Sequence, residues 1–297
     1  MQQDAFNGFH PIVNLLYFVT VIGFSMFFLH PVFLILSLLC AASYAVYLGG
    51  RKTVRLGLAL LLPMVLVTAA LNPLFNHQGA TILAYLPNGN PVTLESTLYG
   101  LAAATMLVTV ILWFSCLNAV ITQDKFVYLF GRILPALSLI LAMSLRLVPR
   151  FRAQLRTIAT AQKGLGRNVS DGNLQNRARH GLRMLSILVT WVLENSIDTA
   201  DSMKARGYGL PGRTAFSIFR FERRDAWAIL YIAACAAIVL IGAGTGAYHF
   251  RYFPTIRGRW SGPATIVVFC AQFALGLLPI LLNVKEARTW KRIESNM

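Results

Sequence analysis

The amino-acid sequence predicts an all-α integral membrane protein, with about six to eight transmembrane or re-entrant helices and two long amphipathic cytoplasmic helices. Of the 297 residues, 56% are hydrophobic and only 13% are charged, whereas a soluble domain has about 25% charged residues. Apolar runs recur along the chain at close to the roughly 20 residues that cross the hydrocarbon core of a bilayer. This composition excludes a soluble protein.

The first part of the chain predicts two membrane helices, at about 12–29 and 32–48, because His30-Pro31 interrupts an apolar run that is too long for one helix. Residues 49–55 then place three cations in a short connection. Lys and Arg accumulate in the cytoplasmic loops of membrane proteins. We therefore expect this connection and the N-terminus on the cytoplasmic side. Since no Lys or Arg precedes residue 51, the basic start of a secretory signal is missing and the first helix is expected to be retained.

The next two helices are predicted at about 56–74 and 97–121. The polar segment between them, 75–96, contains Gly and Pro but no Lys or Arg, which is typical of an external loop. The chain returns to the cytoplasm near Lys125.

Two further spans, at about 226–247 and 263–284, are followed by a basic tail that places the C-terminus in the cytoplasm. The loop between these spans disagrees with this topology because it would hold cations outside. The cations concerned are Arg251, Arg257 and Arg259.

Most of the positive charge of the chain lies between residues 146 and 225, where fifteen of the 27 Lys and Arg residues occur against six Asp and Glu. The segment keeps a helical period. One predicted face carries Val148, Phe151, Leu155, Ile158, Ala159 and Gln162, and another carries Arg152, Arg156 and Lys163. The preceding stretch, 133–145, is apolar and could span the membrane, re-enter it or begin this long helix.

A second long helix is predicted over 182–206, where apolar and small residues recur at spacings of three and four. These residues are Leu182, Leu185, Val189, Val192, Ser196, Thr199 and Met203. Gly207 and Gly209 then offer a stop. The expected organisation is N-terminal transmembrane helices at 1–132, a largely cytoplasmic region at 133–225, and C-terminal transmembrane helices with the basic tail at 226–297.

Catalytic chemistry has no visible basis in this sequence. The GxSxG, HExxH, Walker and EF-hand patterns are absent, and the four cysteines lie in apolar segments without a zinc-ligand spacing. We therefore predict a chain that is not an enzyme and has no catalytic residue, metal site or cofactor.

An acidic stripe on the second long helix is the main candidate for ion chemistry. Glu194, Asp198 and Asp201 follow one another at spacings of four and three. They could form a proton or cation relay, since an acid within a membrane is a functional candidate by default. The favoured interpretation is that they form buried ion pairs with Arg152 or Arg156, because buried charges in membranes are usually paired.

The tripeptide Ala205-Arg206-Gly207 ends the second long helix. Ala allows close approach to a neighbour, Arg offers a planar fork of donors that suits a carboxylate, and Gly permits the left-handed turn that ends a helix. Such a tip is suited to docking into a groove of a partner protein.

In this context the sequence resembles the transmembrane T component of energy-coupling factor (ECF) transporters, a type of ABC transporter, most strongly over 146–213. Two Ala-Arg-Gly motifs end the paired coupling helices of that family. Ala205, Arg206 and Gly207 match the second motif. The first has a similar frame in 146–149 and Ala161-Gln162, but its tripeptide is degenerate and is replaced by Gly164, Leu165 and Gly166, with Arg167 following.

The resemblance implies a scaffold in the bacterial cell membrane. Each coupling-helix tip would dock into one of two ATP-binding subunits of the EcfA type, where ATP hydrolysis takes place. The motion would be transmitted to a membrane-embedded S component, which binds a vitamin or another micronutrient for uptake. The chain itself would bind no vitamin.

Two other hypotheses belong to different classes. A proton-coupled secondary transporter or a membrane-embedded enzyme could use Glu194, but such transporters usually show inverted repeats or broken helices, and the sequence has no such repeat. The basic region could also bind lipid or nucleic acid. The interleaved aromatic residues that bind single-stranded nucleic acid are largely missing, so we expect a lipid bilayer and no nucleic acid.

Overall fold

The computed structural model of the chain describes residues 4–85, 89–131, 135–166, 173–208, 210 and 219–295, and for 51–58, 60–61, 131–138 and 295 it describes the backbone alone. The described chain is almost wholly helical, as predicted. It forms two compact units. The first comprises Met1–Thr122 and Phe219–Met297, and the second Gln123–Ile218.

Eight α-helices and two small antiparallel ladders follow a short 3-10 helix, Ala5–Gly8, in the described chain. The helices are α1 (Pro11–Phe27), α2 (Pro31–Phe75), α3 (Leu94–Val120), α4 (Gln123–Gly131), α5 (Pro135–Gly164), α6 (Leu174–Ala205), α7 (Arg223–Gly244) and α8 (Pro263–Ser295). The strands are β1 (Ile82–Tyr85) paired with β2 (Pro91–Thr93), and β3 (Phe250–Arg251) paired with β4 (Arg257–Gly258).

The first unit contains the helices that can cross a membrane. Four of its described segments are long and apolar enough, Pro31–Gly50, Leu94–Val120, Arg223–Gly244 and Pro263–Glu294, and two shorter apolar segments lie at Pro11–Phe27 and Leu62–Phe75. Many of their apolar side chains point outward, such as Val19, Leu66 and Leu240, each more than half exposed. A continuous apolar exterior of this kind is expected to face lipid. The prediction of a multi-pass membrane protein is confirmed.

The predicted break at His30-Pro31 is confirmed. α1 ends at Phe27, and the Nδ1 atom of His30 accepts the backbone N–H of Val32 at 3.3 Å, which caps α2. The predicted loop at 49–55 is wrong in its extent. Gly50 alone leaves the helical conformation, with φ 60° and ψ −155°, and the helix resumes directly after it. One glycine in this conformation is enough to kink the chain.

The hairpin β1–β2 is a second difference, because the sequence predicted only a polar external segment over 75–96. Three residue pairs and a bulge make up the ladder, which is too short for a clear alternating pattern. The carboxylate of Glu95, in the first turn of α3, accepts the backbone N–H of Thr81 at 3.2 Å and its hydroxyl at 3.0 Å. These bonds attach the hairpin to α3.

Within the ambiguous stretch 133–145, residues 135–145 belong to the long helix α5. α5 begins at Pro135 and continues through Pro149 to Gly164 without a break. A proline inside a helix removes one backbone hydrogen bond, but α5 continues through Pro149. The basic tail is likewise helical, because α8 extends about ten residues beyond the predicted end of the last span.

The core of the first unit is rich in aromatic side chains. Trp113 of α3 is fully buried, its ring meets those of Tyr17 and Phe18 edge-on at 6.0 and 6.3 Å, and its Nε1 donates to Ser37 Oγ at 3.1 Å. Edge-to-face contacts of this kind add about 0.5–1.5 kcal/mol to the burial itself. α1, α2 and α3 are therefore held together by one cluster.

The N-terminal segment is attached to the start of α7 and to the C-terminal half of α8. The backbone N–H of His10 donates to the buried carboxylate of Asp225 at 3.0 Å, and the Asn283 amide donates to Asp4 at 2.6 Å. Asp4 also accepts the hydroxyl of Tyr44 at 2.7 Å. Because these partners are far apart in sequence, the bonds connect the N-terminal segment to the helices α2, α7 and α8 of the first unit.

Candidate functional site

The second unit is built around α5 and α6, which pack against each other. Phe151 of α5 meets Trp191 of α6 edge-on at 6.4 Å. Ile158 and Met184 are buried. The predicted apolar positions at the start of α6 are exposed instead: Leu182, Leu185 and Val189. The structure therefore confirms two long helices. The buried stripe of α6, however, is a neighbouring one that includes Met184.

The tip of α6 is a complete Schellman motif. The backbone N–H of Tyr208 donates to Met203 O at 3.0 Å, and that of Gly207 donates to Lys204 O at 2.9 Å. Gly207 has φ 78°, the left-handed conformation that this motif requires and that glycine adopts without penalty. Arg206 is the C-cap, between the last helical residue and the glycine. The sequence Ala-Arg-Gly thus places Arg206 at the very end of the helix.

The tip of α5 repeats this geometry over the part that the structure describes. The N–H of Gly166 donates to Lys163 O at 3.0 Å, and Gly166 has φ 73°. The N–H of Leu165 is shared between Ala161 O at 3.3 Å and Gln162 O at 3.1 Å. Arg206 shares its N–H in the same way, at 3.2 Å to both Ser202 O and Met203 O. Leu165 therefore occupies in α5 the position that Arg206 occupies in α6.

Both tips expose the side chains that a partner could bind. Leu165 is 67% exposed, and Ala205 and Arg206 are exposed as well. Sequence reasoning missed two apolar neighbours of Arg206, Tyr208 and Leu210, which are 44% and 67% exposed. The glycines at 207 and 209 indicated only where the helix stops. Large exposed apolar residues beside a helix end nevertheless indicate a contact surface. The α6 tip thus combines a cation with an apolar rim, and the described part of the α5 tip presents the apolar Leu165 near the exposed Lys163.

Gly207→Ala is expected to loosen the end of α6. Alanine in the left-handed conformation costs about 1 kcal/mol, and its Cβ would lie 3.1 Å from Leu210 Cδ1. The amides of Gly207 and Tyr208 should then exchange with solvent about fivefold faster in hydrogen-exchange measurements. Gly181→Ala is the control, because Gly181 lies inside α6 and an added Cβ there would meet nothing within 4 Å. This variant should slow the exchange of the amides around residue 181. Equal effects from both variants would contradict the assignment.

The acidic stripe does not form the predicted ion pairs. Glu194, Asp198 and Asp201 are exposed, as are Arg152 and Arg156. Within the described ranges, the structure forms a salt bridge between Arg224 and Glu222 at 3.0 Å and none between these acids and arginines. Carboxylates on an exposed helix face need no partner, since water solvates them. Arg167, the displaced cation of the first motif, lies outside the described residues.

Comparison with protein families matches residues 9–216 to the family described as CbiQ, cobalt transport protein. The match spans both long helices and the two tips. The chain belongs to the CbiQ family. It is thus a membrane protein of a transport family, and the tips lie within the part that this family shares.

The CbiQ-family chain is also similar to curated proteins named energy-coupling factor transporter transmembrane protein EcfT. It is 33% identical over 107 residues to the protein from Lacticaseibacillus paracasei, 31% over 105 to that from Bacillus selenitireducens, and 32% over 104 to that from Streptococcus thermophilus. Each alignment covers 35–36% of this chain and 39% of the relative. The chain therefore spans about two fifths of the length of the curated relatives that it matches.

Proposed function

We propose that this chain is the transmembrane scaffold and coupling subunit of an energy-coupling factor transporter, which links ATP hydrolysis in partner subunits to solute uptake. The observation that carries the proposal is the pair of exposed helix tips, which share one hydrogen-bond pattern around Gly166 and Gly207. The names of the EcfT relatives support it. In this function the chain is not an enzyme.

Two tips of matching geometry suit two copies of related ATP-binding subunits of the EcfA type. Arg206 can donate two parallel hydrogen bonds to a carboxylate, an arrangement that is directional as well as strong. Leu165 cannot do so, and it binds by burying apolar surface in a groove. The two docking sites thus use one helix-end geometry and different side-chain chemistry.

The remaining parts of the chain take roles that follow from this assignment. The first unit holds the protein in the bacterial plasma membrane, with both termini cytoplasmic. The region 133–225 faces the ATP-binding subunits, between the transmembrane regions 1–132 and 226–297. An S component in the membrane binds the vitamin or other micronutrient. Arg251, Arg257 and Arg259 then lie in an external loop.

Affinity purification in mild detergent tests the proposal. The chain should bring with it two ATP-binding subunits and one small hydrophobic protein, with a 2:1:1 stoichiometry in native mass spectrometry. A variant of the ATP-binding subunits that does not hydrolyse ATP should stop uptake without dispersing the complex. Recovery of the chain alone would contradict the proposal.

A further inference from the structure

A cavity of about 640 Å³ opens between the N-terminal segment, the start of α7 and the C-terminal half of α8. All of its lining residues belong to the first unit. None of them lies at the coupling tips, so the proposed function does not account for this cavity. Its volume is in the range of small-molecule sites.

The lining is sorted by polarity along the two helices. On α7 it passes from Arg224 to Trp227 and Tyr231, and on α8 from Lys285 to Leu282 and Leu278. Seven residues of helix span about 10 Å, so the charged end and the apolar end are separated by about that distance on both helices. An amphipathic ligand with a charged head and a hydrocarbon chain fits such a gradient.

We expect the apolar end to lie deeper in the membrane than the charged end, because charged side chains are costly within the hydrocarbon core. α7 and α8 both contain candidate membrane spans that include Tyr231 and Leu278, and Trp227 is 71% exposed. Tryptophan and tyrosine concentrate where lipid headgroups meet the hydrocarbon core. We therefore expect the cavity to open at the level where a glycerophospholipid changes from headgroup to acyl chain.

The charged end has two cations, Arg224 and Lys285, and two carboxylates, Asp4 and Glu286. Asp4 accepts hydrogen bonds from Tyr44 and Asn283. Arg224 contacts Glu222 and the carbonyl of Gly8, at 3.0 and 3.1 Å. Within the described chain, the side chains of the exposed Lys285 and Glu286 form no hydrogen bond or ion pair. Their charges are thus available to a ligand.

We propose that this cavity binds a phospholipid of the phosphatidylethanolamine type. Arg224 and Lys285 hold the phosphate, which accepts hydrogen bonds from both cations. Glu286 holds the primary ammonium of the headgroup. One acyl chain lies along Tyr231 and Leu278. A headgroup with one negative and one positive charge matches a lining that presents both cations and carboxylates better than an anionic headgroup does.

Native mass spectrometry of the full-length chain in mild detergent tests this proposal with three lipids that have the same acyl chains. Phosphatidylethanolamine should bind with a stoichiometry of one and about tenfold more tightly than phosphatidylcholine, whose quaternary ammonium cannot donate a hydrogen bond to Glu286. It should also bind more tightly than phosphatidylglycerol. Equal binding of the ethanolamine and choline lipids, or stronger binding of the glycerol lipid, would overturn the proposal.

Variants assign the two halves of the headgroup. Lys285→Gln should weaken the binding of all three lipids about tenfold. Glu286→Gln should remove only the preference for the ethanolamine lipid over the choline lipid. Arg288→Gln is the matched control, because Arg288 lies on the same exposed part of α8 and does not line the cavity. A control variant that lowers binding as much as Lys285→Gln would show a general charge effect and overturn the site. These results do not depend on ATP-binding subunits, so they are separable from the coupling function.

Discussion

Arg206→Ala is expected to abolish most ATP-driven uptake by the assembled transporter while leaving insertion into the membrane intact. Removing one partner of a buried, hydrogen-bonded charge pair costs about 2–5 kcal/mol, so docking of the α6 tip should weaken roughly 30-fold or more. The Schellman bonds use backbone atoms alone, and they persist in the variant. Uptake of a radiolabelled solute and the amount of co-purified ATP-binding subunit provide the measurements.

Two controls separate the role of Arg206 from loss of charge. Arg206→Lys keeps the charge but not the planar fork, and it should restore uptake only in part. Arg183→Ala removes an exposed cation from the body of α6, far from the tip, and it should leave uptake close to that of the unmodified protein. Normal uptake in Arg206→Ala would count against docking through this tip.

Leu165→Asp is expected to have a comparable effect at the other tip. Burying a leucine side chain contributes about 1.5–3 kcal/mol, and an aspartate in an apolar groove adds the cost of an unpaired charge. Leu165→Ala should therefore weaken docking by roughly 150-fold at most, and Leu165→Asp should weaken it further. Uptake and ATPase co-purification measure both variants.

The matching helix ends allow a direct test of what Leu165 does. Gly164→Ala combined with Leu165→Arg turns this tip into a second Ala-Arg-Gly sequence, in a backbone that already has the required shape. If the groove is apolar, this variant should dock poorly. If Leu165→Asp has no effect and Arg167→Ala does, the cation has moved by two residues and the apolar interpretation is wrong.

Much of the fold could be predicted because membrane helices depend on length and composition. The break at His30-Pro31 and the four long apolar spans follow from local rules. The hairpin β1–β2 has too few residue pairs to give an alternating pattern, and it depends on Glu95 bonding to Thr81. The predicted connection at 49–55 is longer than the observed one, because a single residue, Gly50, changes the chain direction.

The candidate site was predicted only in part, for reasons of packing. The glycines mark both helix ends, so their backbone geometry could be expected from the sequence. The sequence could not predict which stripe of α6 is buried. Leu182 and Met184 belong to different apolar stripes, and packing against the neighbouring helix decides which of them is buried. The acids at 194, 198 and 201 were expected to pair, since proximity in a helical stripe does not show whether an arginine of another helix lies within reach.

The glycine-ended tips have a mechanical consequence for the helices behind them. α6 has 32 residues and α5 has 30, so they are about 48 and 45 Å long. A push applied to a frayed helix end is absorbed as the last turn unwinds, whereas a Schellman end leaves few carbonyls free to open. A displacement applied at either tip is then passed into the helix behind it instead of being absorbed by unwinding of the last turn.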